Sequence, residues 1–293
     1  MKKVEEKAYA KVNLLLNIGD LRPDGYHDIQ TIMQSLELHD DVTVEQVAGN
    51  AITVSADVDT IPLDENNLVV KAVNVFAAKT GVEIGGLNIA IQKRIPVAAG
   101  LGGGSSDAAA TLRALNEIYD TKLSLDELAD MGVEVGSDVP FCVHGGCAYV
   151  EGKGEIVVPT TPLPQCTIVV GKPDLEVSTK KMYERFDNSE LPPREDHNAE
   201  MMLGLRWESL KAVAECMGNV FEKVLMKNER NTVQLMKDVM MQFGALGCTM
   251  TGSGPAVFGL FENELYARVT SETLRQQLKG NPVILETEPL RSK

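Results

Sequence analysis

Apolar and polar positions alternate from residue 8 onward in AYAKVNLLLNI. Ala8, Ala10, Val12 and Leu14 fall on one side and Tyr9, Lys11 and Asn13 on the other, the period-two pattern of a half-buried strand. RPDGYHDI then supplies turn chemistry, with proline and glycine two residues apart. TIMQSLELHDDVTVEQV, AITVSADV and LNIAIQKRI return to strand patterns, and NNLVVKAVNVFAAKTG between the last two carries helical spacing with a glycine at the C-cap position. SSDAAATLRALNEIY predicts a helix with Ala108, Leu112, Leu115 and Tyr119 along one stripe. Ser124 and Glu127 form a capping box for a short helix, and PFCVHGGCAYV is apolar and strand-like.

The texture changes past about residue 155. TTPLPQ reads as a linker or loop and TIVVGKP as a strand, followed by three amphipathic helices around 207–227, 230–243 and 264–278. GCTMTGSGPAVFGLF predicts strand, glycine turn and strand, and NPVILETEP a final strand. There is no internal repeat, and helices and strands mix without the steady alternation of a doubly wound parallel sheet. The fold class expected is α+β in two domains, 1–157 and 158–293.

Composition narrows the function classes. A chain of 293 residues, 44% hydrophobic and 24% charged, can build two packed cores and is not a disordered polymer. No apolar run approaches the roughly 18 residues of a membrane span. The apolar stretch near the N-terminus is about five residues, too short for the core of a secretion signal, so a cytoplasmic enzyme without a membrane partner is expected. The five cysteines are odd in number and contain no C-x-x-C pair. Cys142 and Cys147, with His144 between them, read as buried thiols rather than metal ligands, and a reducing compartment fits them. A net charge of −14, from 28 basic and 42 acidic residues, disfavours nucleic acid. A small anion remains possible, because backbone amides and one or two local lysines suffice.

The strongest chemical signal is PVAAGLGGGSSDAAA, residues 96–110. Gly100, Gly102, Gly103 and Gly104 fall within five positions, allowing a tight backbone turn with its N–H groups outward. Ser105 and Ser106 then read as caps of a helix whose N-terminus attracts negative charge. Amides, hydroxyls and helix dipole converge on an anion cradle. It is not a Walker loop, since G-S-S-D stands where G-K-[ST] is required, and Ser105 breaks the dinucleotide fingerprint.

Three further signals are ambiguous alone. Lys11 and Asn13 suit the solvated side of an edge strand. Asp138, in VGSDVPF, suits a helix N-cap. Gly252, Ser253 and Gly254 before Pro255 suit a hairpin turn. Together with the loop, a lysine and a carboxylate complete the parts list for phosphoryl transfer.

In this order the pieces resemble the GHMP kinases: KVNLLL looks like their first motif, PVAAGLGGGSSDAAA their second, and GCTMTGSGPAVFGLF their third. The resemblance spans nearly the whole chain. It implies a first domain of the ribosomal-protein-S5 type, a second of split β-α-β units, and an active site between them. AYAKVNLLLNI with RPDGYHDIQTIMQSLEL, GLGGGSSDAAATLRALN and VGSDVPFCVHGGCAYVEGKGE look like the branch that takes a cytidine diphosphate-linked methylerythritol. By position, the resemblance implies that Asp138 is the catalytic base and that Lys11 offsets charge on the attacking oxygen. ATP, with magnesium, would lie on Pro96, Val97, Ala98, Ala99, Gly100, Leu101, Gly102, Gly103, Gly104, Ser105 and Ser106, with Lys93 and Asn67 on the adenosine side. Tyr26 would stack on the cytosine, His27 read its polar edge, Tyr183 add a second aromatic, and Asn13 face the erythritol. REDHNAEM (194–201) departs from the family's polar segment there, and no residue is assigned to the metal. The alternatives are another GHMP kinase, of homoserine or mevalonate type, and a catalytically silent nucleotide sensor. Oligomeric state is left open.

Overall fold

The computed structural model describes residues 1–189 and 197–291. Residues 194–196 of REDHNAEM lie outside them. The first half runs β1 (Lys3–Leu21), β2 (His27–Val47), β3 (Ile52–Ala56), α1 (Leu68–Thr80), β4 (Gly86–Gln92), α2 (Gly103–Tyr119), α3 (Leu125–Val135), α4 (Val139–His144), β5 (Cys147–Gly152) and β6 (Ile156–Pro159). The second half continues with β7 (Thr167–Lys172), α5 (Thr179–Asp187), α6 (Asn198–Arg206), α7 (Leu210–Glu215) and β8 (Gly218–Asn219). A 3-10 turn (Val220–Val224) leads to α8 (Lys227–Gln242), β9 (Gly247–Met250), β10 (Val257–Phe261), α9 (Glu264–Gln277) and β11 (Val283–Thr287).

Two sheets organise the chain. The first has seven strands in the order β3-β4-β2-β1-β8, with β5 on β2 and β6 on β5; the second has four, β11-β7-β10-β9. β1 and β2 are long antiparallel partners, and the other edge of β2 is shared. Its Ile29–Gln34 part pairs with β5 and its Asp41–Val47 part with β4. The chain end fills the interval, where Leu290 N donates to the Ser35 carbonyl and Glu37 N to that of Glu288. Asp40 closes the gap beside β4.

β1 is not a half-buried edge strand. It carries β2 on one side and short β8 on the other, so Lys11 (3% exposed) and Asn13 (1%) are as buried as Val12 and Leu14. The period-two pattern located the strand, but domain packing covers its polar side too. The helix α1 ends as expected at left-handed Gly81, and Asn67, expected on the adenosine side, turns out to be its N-cap. Ser124 and Glu127 form the expected capping box of α3.

Two other expectations need correction. PFCVHGGCAYV is helix α4 followed by β5, because Pro140 sits in a helical first turn and Gly145 and Gly146 break it. The 207–227 helix is replaced by α7, β8 and the 3-10 turn. TTPLPQ is a packed strap: Leu163 is fully buried and its N–H donates to Gln34 Oε1. α5 was not anticipated at all.

Candidate active site

The glycine-rich segment leaves the sheet where β4 ends. Fully buried Asp40 accepts the N–H groups of Arg94 and Ile95, drawing the chain off the sheet edge. Ala98 (φ +54°), Gly100 (+77°) and Gly102 (+73°) then take left-handed conformations. Ala98, with its Cβ, holds a conformation of the strained kind that collects at binding sites. Ala99 and Leu101 bury their side chains in the core, so the loop presents backbone.

Gly102, not a serine, is the N-cap of α2, and no side chain caps this helix. Ser105 and Ser106 therefore lie inside the first turns. Ser106 is buried and donates to the Tyr9 carbonyl at 2.6 Å, which takes it out of the loop's open face. The free amides of the helix start are left for an anion.

The loop is locked from two sides. Lys11 N donates to the Leu101 carbonyl at 2.9 Å, and the Lys11 stem runs across Gly102, where a Cβ would stand 2.9 Å from its Cγ. On the other side is the β9–β10 turn of the third motif. A Cβ on Gly100 would collide with the Thr251 carbonyl oxygen, and the Thr251 hydroxyl donates to the Gly100 carbonyl at 3.2 Å.

Lys11 and Asp138, 127 positions apart in sequence, meet here: Nζ lies 3.2 Å from Oδ2, with the lysine side chain 3% and the aspartate 30% exposed. Asp138 occupies the N-cap position of α4 but makes no capping hydrogen bond. Its carboxylate faces the lysine instead. Lys11 also donates to Asn13 Oδ1 at 2.8 Å.

Two cavities adjoin at the loop, and the pair lines the larger of them. One, of about 350 Å³, is lined by Pro96 through Ser105 together with Asn67, Leu68 and Lys93. The other, of about 710 Å³, contains Lys11, Asn13, Tyr26, His27, Asp138 and Tyr183. Ala98, Gly100 and Ser105 belong to both. A molecule in one cavity thus faces a molecule in the other across the loop.

Several expected contacts are rearranged. Asn67 has both side-chain ends engaged: Oδ1 accepts from Val69 N and Nδ2 donates to the Pro62 carbonyl. Lys93 borders the smaller cavity, but its ammonium is committed to Asp40 and Asp107 beneath the loop. Asn13 spends its amide on Lys11, Thr31 and Gly252 N, which makes it a brace rather than a free contact to a ligand. Tyr183 stacks on His27 (centroids 5.2 Å, planes 25° apart) and meets Phe221 edge-on. Burial, then the negative charges of Asp138 and Asp187, push its phenol up to about 12. Tyr26 is 53% exposed, and the Lys153 ammonium lies 5.1 Å from its ring centre. Cys142 and Cys147 are buried thiols outside any disulfide, and burial raises that of Cys147 far above its usual range.

Sequence reasoning missed Thr251, Lys153 and Asp187. Asp187 receives His27 Nε2 at 2.8 Å, one helical turn beyond Tyr183. A helical reading of TKKMYERFD would have put Tyr183 and Asp187 on one face.

The same architecture occurs in known proteins. Residues 67–146 match the family model for the GHMP kinases N terminal domain, and residues 201–280 the model for GHMP kinases C terminal. The chain belongs to the GHMP kinases, and it is a small-molecule kinase. It is 42% identical over 281 residues to the 4-diphosphocytidyl-2-C-methyl-D-erythritol kinase of Caldicellulosiruptor bescii, covering 96% of each chain. It is also 42% identical to the protein of that name from Clostridioides difficile, covering 93% of this chain and 92% of the other. A crystal structure of 4-(cytidine 5'-diphospho)-2C-methyl-D-erythritol kinase superposes with a TM-score of 0.78 at 32% identity, covering 98% of this chain and 99% of that one. The crystal structure of L. major mevalonate kinase in complex with R-mevalonate shares the fold, with a TM-score of 0.76 at 16% identity, covering 99% of this chain and 96% of that one.

Proposed function

We propose that this chain transfers the γ-phosphoryl group of ATP to the 2-hydroxyl of 4-diphosphocytidyl-2-C-methyl-D-erythritol, releasing ADP, in isoprenoid precursor synthesis. The observation that carries the reading is the Lys11–Asp138 pair at 3.2 Å in the larger cavity, which shares Ala98, Gly100 and Ser105 with the loop-lined one. The names of relatives about 40% identical over nearly the full length support the choice of acceptor.

In this reading the triphosphate lies on the amides between Pro96 and Ser105. Asp138 accepts the acceptor's hydroxyl proton as the oxygen–phosphorus bond forms and the bond to the ADP oxygen breaks. Lys11 offsets charge on the attacking oxygen. Tyr26 receives the cytosine on the ring face opposite Lys153, and the His27–Tyr183 stack closes the base end of the cavity. Magnesium, the usual companion of ATP, would be held chiefly by the triphosphate and a loop serine, offsetting phosphate charge. Among the described residues no group of three or more His, Cys, Asp or Glu side chains is gathered to hold an ion. We place the enzyme in the cytoplasm, consistent with five cysteines outside any disulfide, and divide it into domains 1–157 and 158–293. No described helix is long and apolar enough to cross a membrane.

The test is a panel of alcohols with ATP, scored by ADP release: the cytidine diphosphate-linked methylerythritol, the same polyol phosphate without cytidine, homoserine and mevalonate. Turnover confined to the first supports the reading. Faster turnover of homoserine or mevalonate overturns it.

A further inference from the structure

Beneath the phosphate-binding loop lies a buried triad that the transfer chemistry does not use. Lys93 Nζ sits between Asp40 and Asp107, 2.5 Å from the first and 2.8 Å from the second, with all three side chains at most 4% exposed. The ammonium is directly under the start of α2, since a Cβ on Gly103 would stand 3.3 Å from it. Asp40 accepts two further hydrogen bonds, from Arg94 N and Ile95 N. Asp107 has only the lysine, and its Oδ1 is buried with no partner. Asp40 and Asp107 thus flank the same ammonium.

Of the surrounding groups, Arg94 beside Asp40 is 45% exposed and pairs with Asp41, and Asp57 accepts from Lys93 N. On β1, Lys11 faces Asp138 and Glu6 pairs with Arg113 of α2; on α1, Lys71 donates to the Val135 carbonyl and Lys79 pairs with Glu134. Two carboxylates on one ammonium leave one net negative charge in a low-dielectric site, directly under amides that must gather a polyphosphate. A proton on Asp107 removes that charge.

We propose that Asp107 takes up a proton when the nucleotide's phosphates occupy the loop, so that the triad becomes neutral beneath them. This rests on the loop being the nucleotide site. Burial foremost, with repulsion from Asp40 working against attraction by Lys93, pushes the Asp107 carboxyl up to about 7, so the free enzyme is poised to respond. A bound polyanion favours the protonated form, and by linkage nucleotide affinity falls as pH rises above that value.

The experiment is titration calorimetry of the full-length protein with ADP in excess magnesium, in buffers of different ionisation enthalpy, from pH 5.5 to 9. The slope against buffer enthalpy gives protons taken up per nucleotide. Uptake should peak at roughly half a proton near neutrality and vanish at both ends of the range, with affinity falling several-fold from pH 6 to 8.5. Asp107→Asn should bind ADP with no uptake and a flat pH profile. If that variant does not fold, Asp40→Asn serves, because its amide oxygen can still accept the loop N–H groups while one carboxylate is gone; its uptake near neutrality should also disappear. Tight binding without proton uptake by wild type, or equal uptake by wild type and a folded variant, overturns the proposal and leaves the nucleotide site standing. No ADP binding by wild type at any pH overturns the nucleotide reading itself.

Discussion

Replacing Asp138 by asparagine separates chemistry from binding. The substitution keeps size and shape but removes the carboxylate paired with Lys11, 3.2 Å from its Nζ. An amide cannot take the acceptor's proton, and loss of a general base costs about 10²–10⁴ in rate, roughly 3–5 kcal/mol on the barrier. The structural cost is smaller. Asp138 is 30% exposed, and Lys11 keeps its 2.8 Å hydrogen bond to Asn13 Oδ1, so stability should drop by about 1 kcal/mol. Asp138 lines the larger cavity and not the loop-lined one, so ADP affinity should stay within about a factor of five, under 1 kcal/mol. Three measurements decide the matter: turnover by coupled ADP release, ADP binding by calorimetry, and thermal unfolding. Turnover within a factor of about three of wild type removes Asp138 from the chemistry. A large fall in turnover matched by an equal fall in ADP affinity points to a damaged loop and refutes the assignment equally.

Gly100→Ala combines a left-handed φ of +77° with a collision at the Thr251 carbonyl; we expect a loss of about 2–3 kcal/mol in denaturant unfolding and a raised KM for ATP, and wild-type behaviour in both would contradict the packing of loop on third motif. Tyr183→Ala removes the stack on His27 and the edge contact with Phe221, so stability should fall by about 2–3 kcal/mol and the acceptor's KM should rise more than that of ATP. An unchanged acceptor KM counts against Tyr183 in the base end of the cavity. At Glu229, burial opposes the charge, but hydrogen bonds from Arg185 and Met226 N outweigh it and hold the carboxyl below its ordinary 4.5. A lowered folded-state value stabilises above the unfolded one and is lost as pH falls through it. Glu229→Gln should therefore cost about 1 kcal/mol at neutral pH and little at pH 3, read from paired unfolding curves; an equal deficit at both excludes the linkage.

What the sequence made legible follows from how local each signal is. Gly81, Ser124 and Glu127 mark helix ends through hydrogen bonds spanning a few residues, and each stands where its type predicts. The glycine crowding of 100–104 is likewise local. The burial of Lys11 and Asn13 is not, since packing of the second half of the chain covers a polar face that alternation alone assigns to water. Ser106 illustrates the same limit. Two serines after a glycine run look like caps, yet left-handed Gly102 starts the helix first, and the Tyr9 carbonyl claims Ser106 from a strand 97 residues away. Lys93 was placed near the nucleotide by resemblance, while its charge is spent on Asp40 and Asp107, partners that spacing could not reveal.

The three ordered motifs come together through one buried amide. Asn13 Oδ1 accepts from Lys11 Nζ at 2.8 Å and from Gly252 N at 3.0 Å, while Asn13 N donates to the Thr251 hydroxyl at 3.1 Å. Thr251 passes its own proton to Gly100, inside the loop. The first motif thus orients its lysine with the same atom that fixes the third motif, and the third motif fixes the loop. Each segment read alone has an ordinary explanation, as strand face, helix start or hairpin turn, because none of the three is complete by itself. Their value lies in the shared bonds, which let an ammonium reach the carboxylate at the start of α4 beside the loop that the two cavities share.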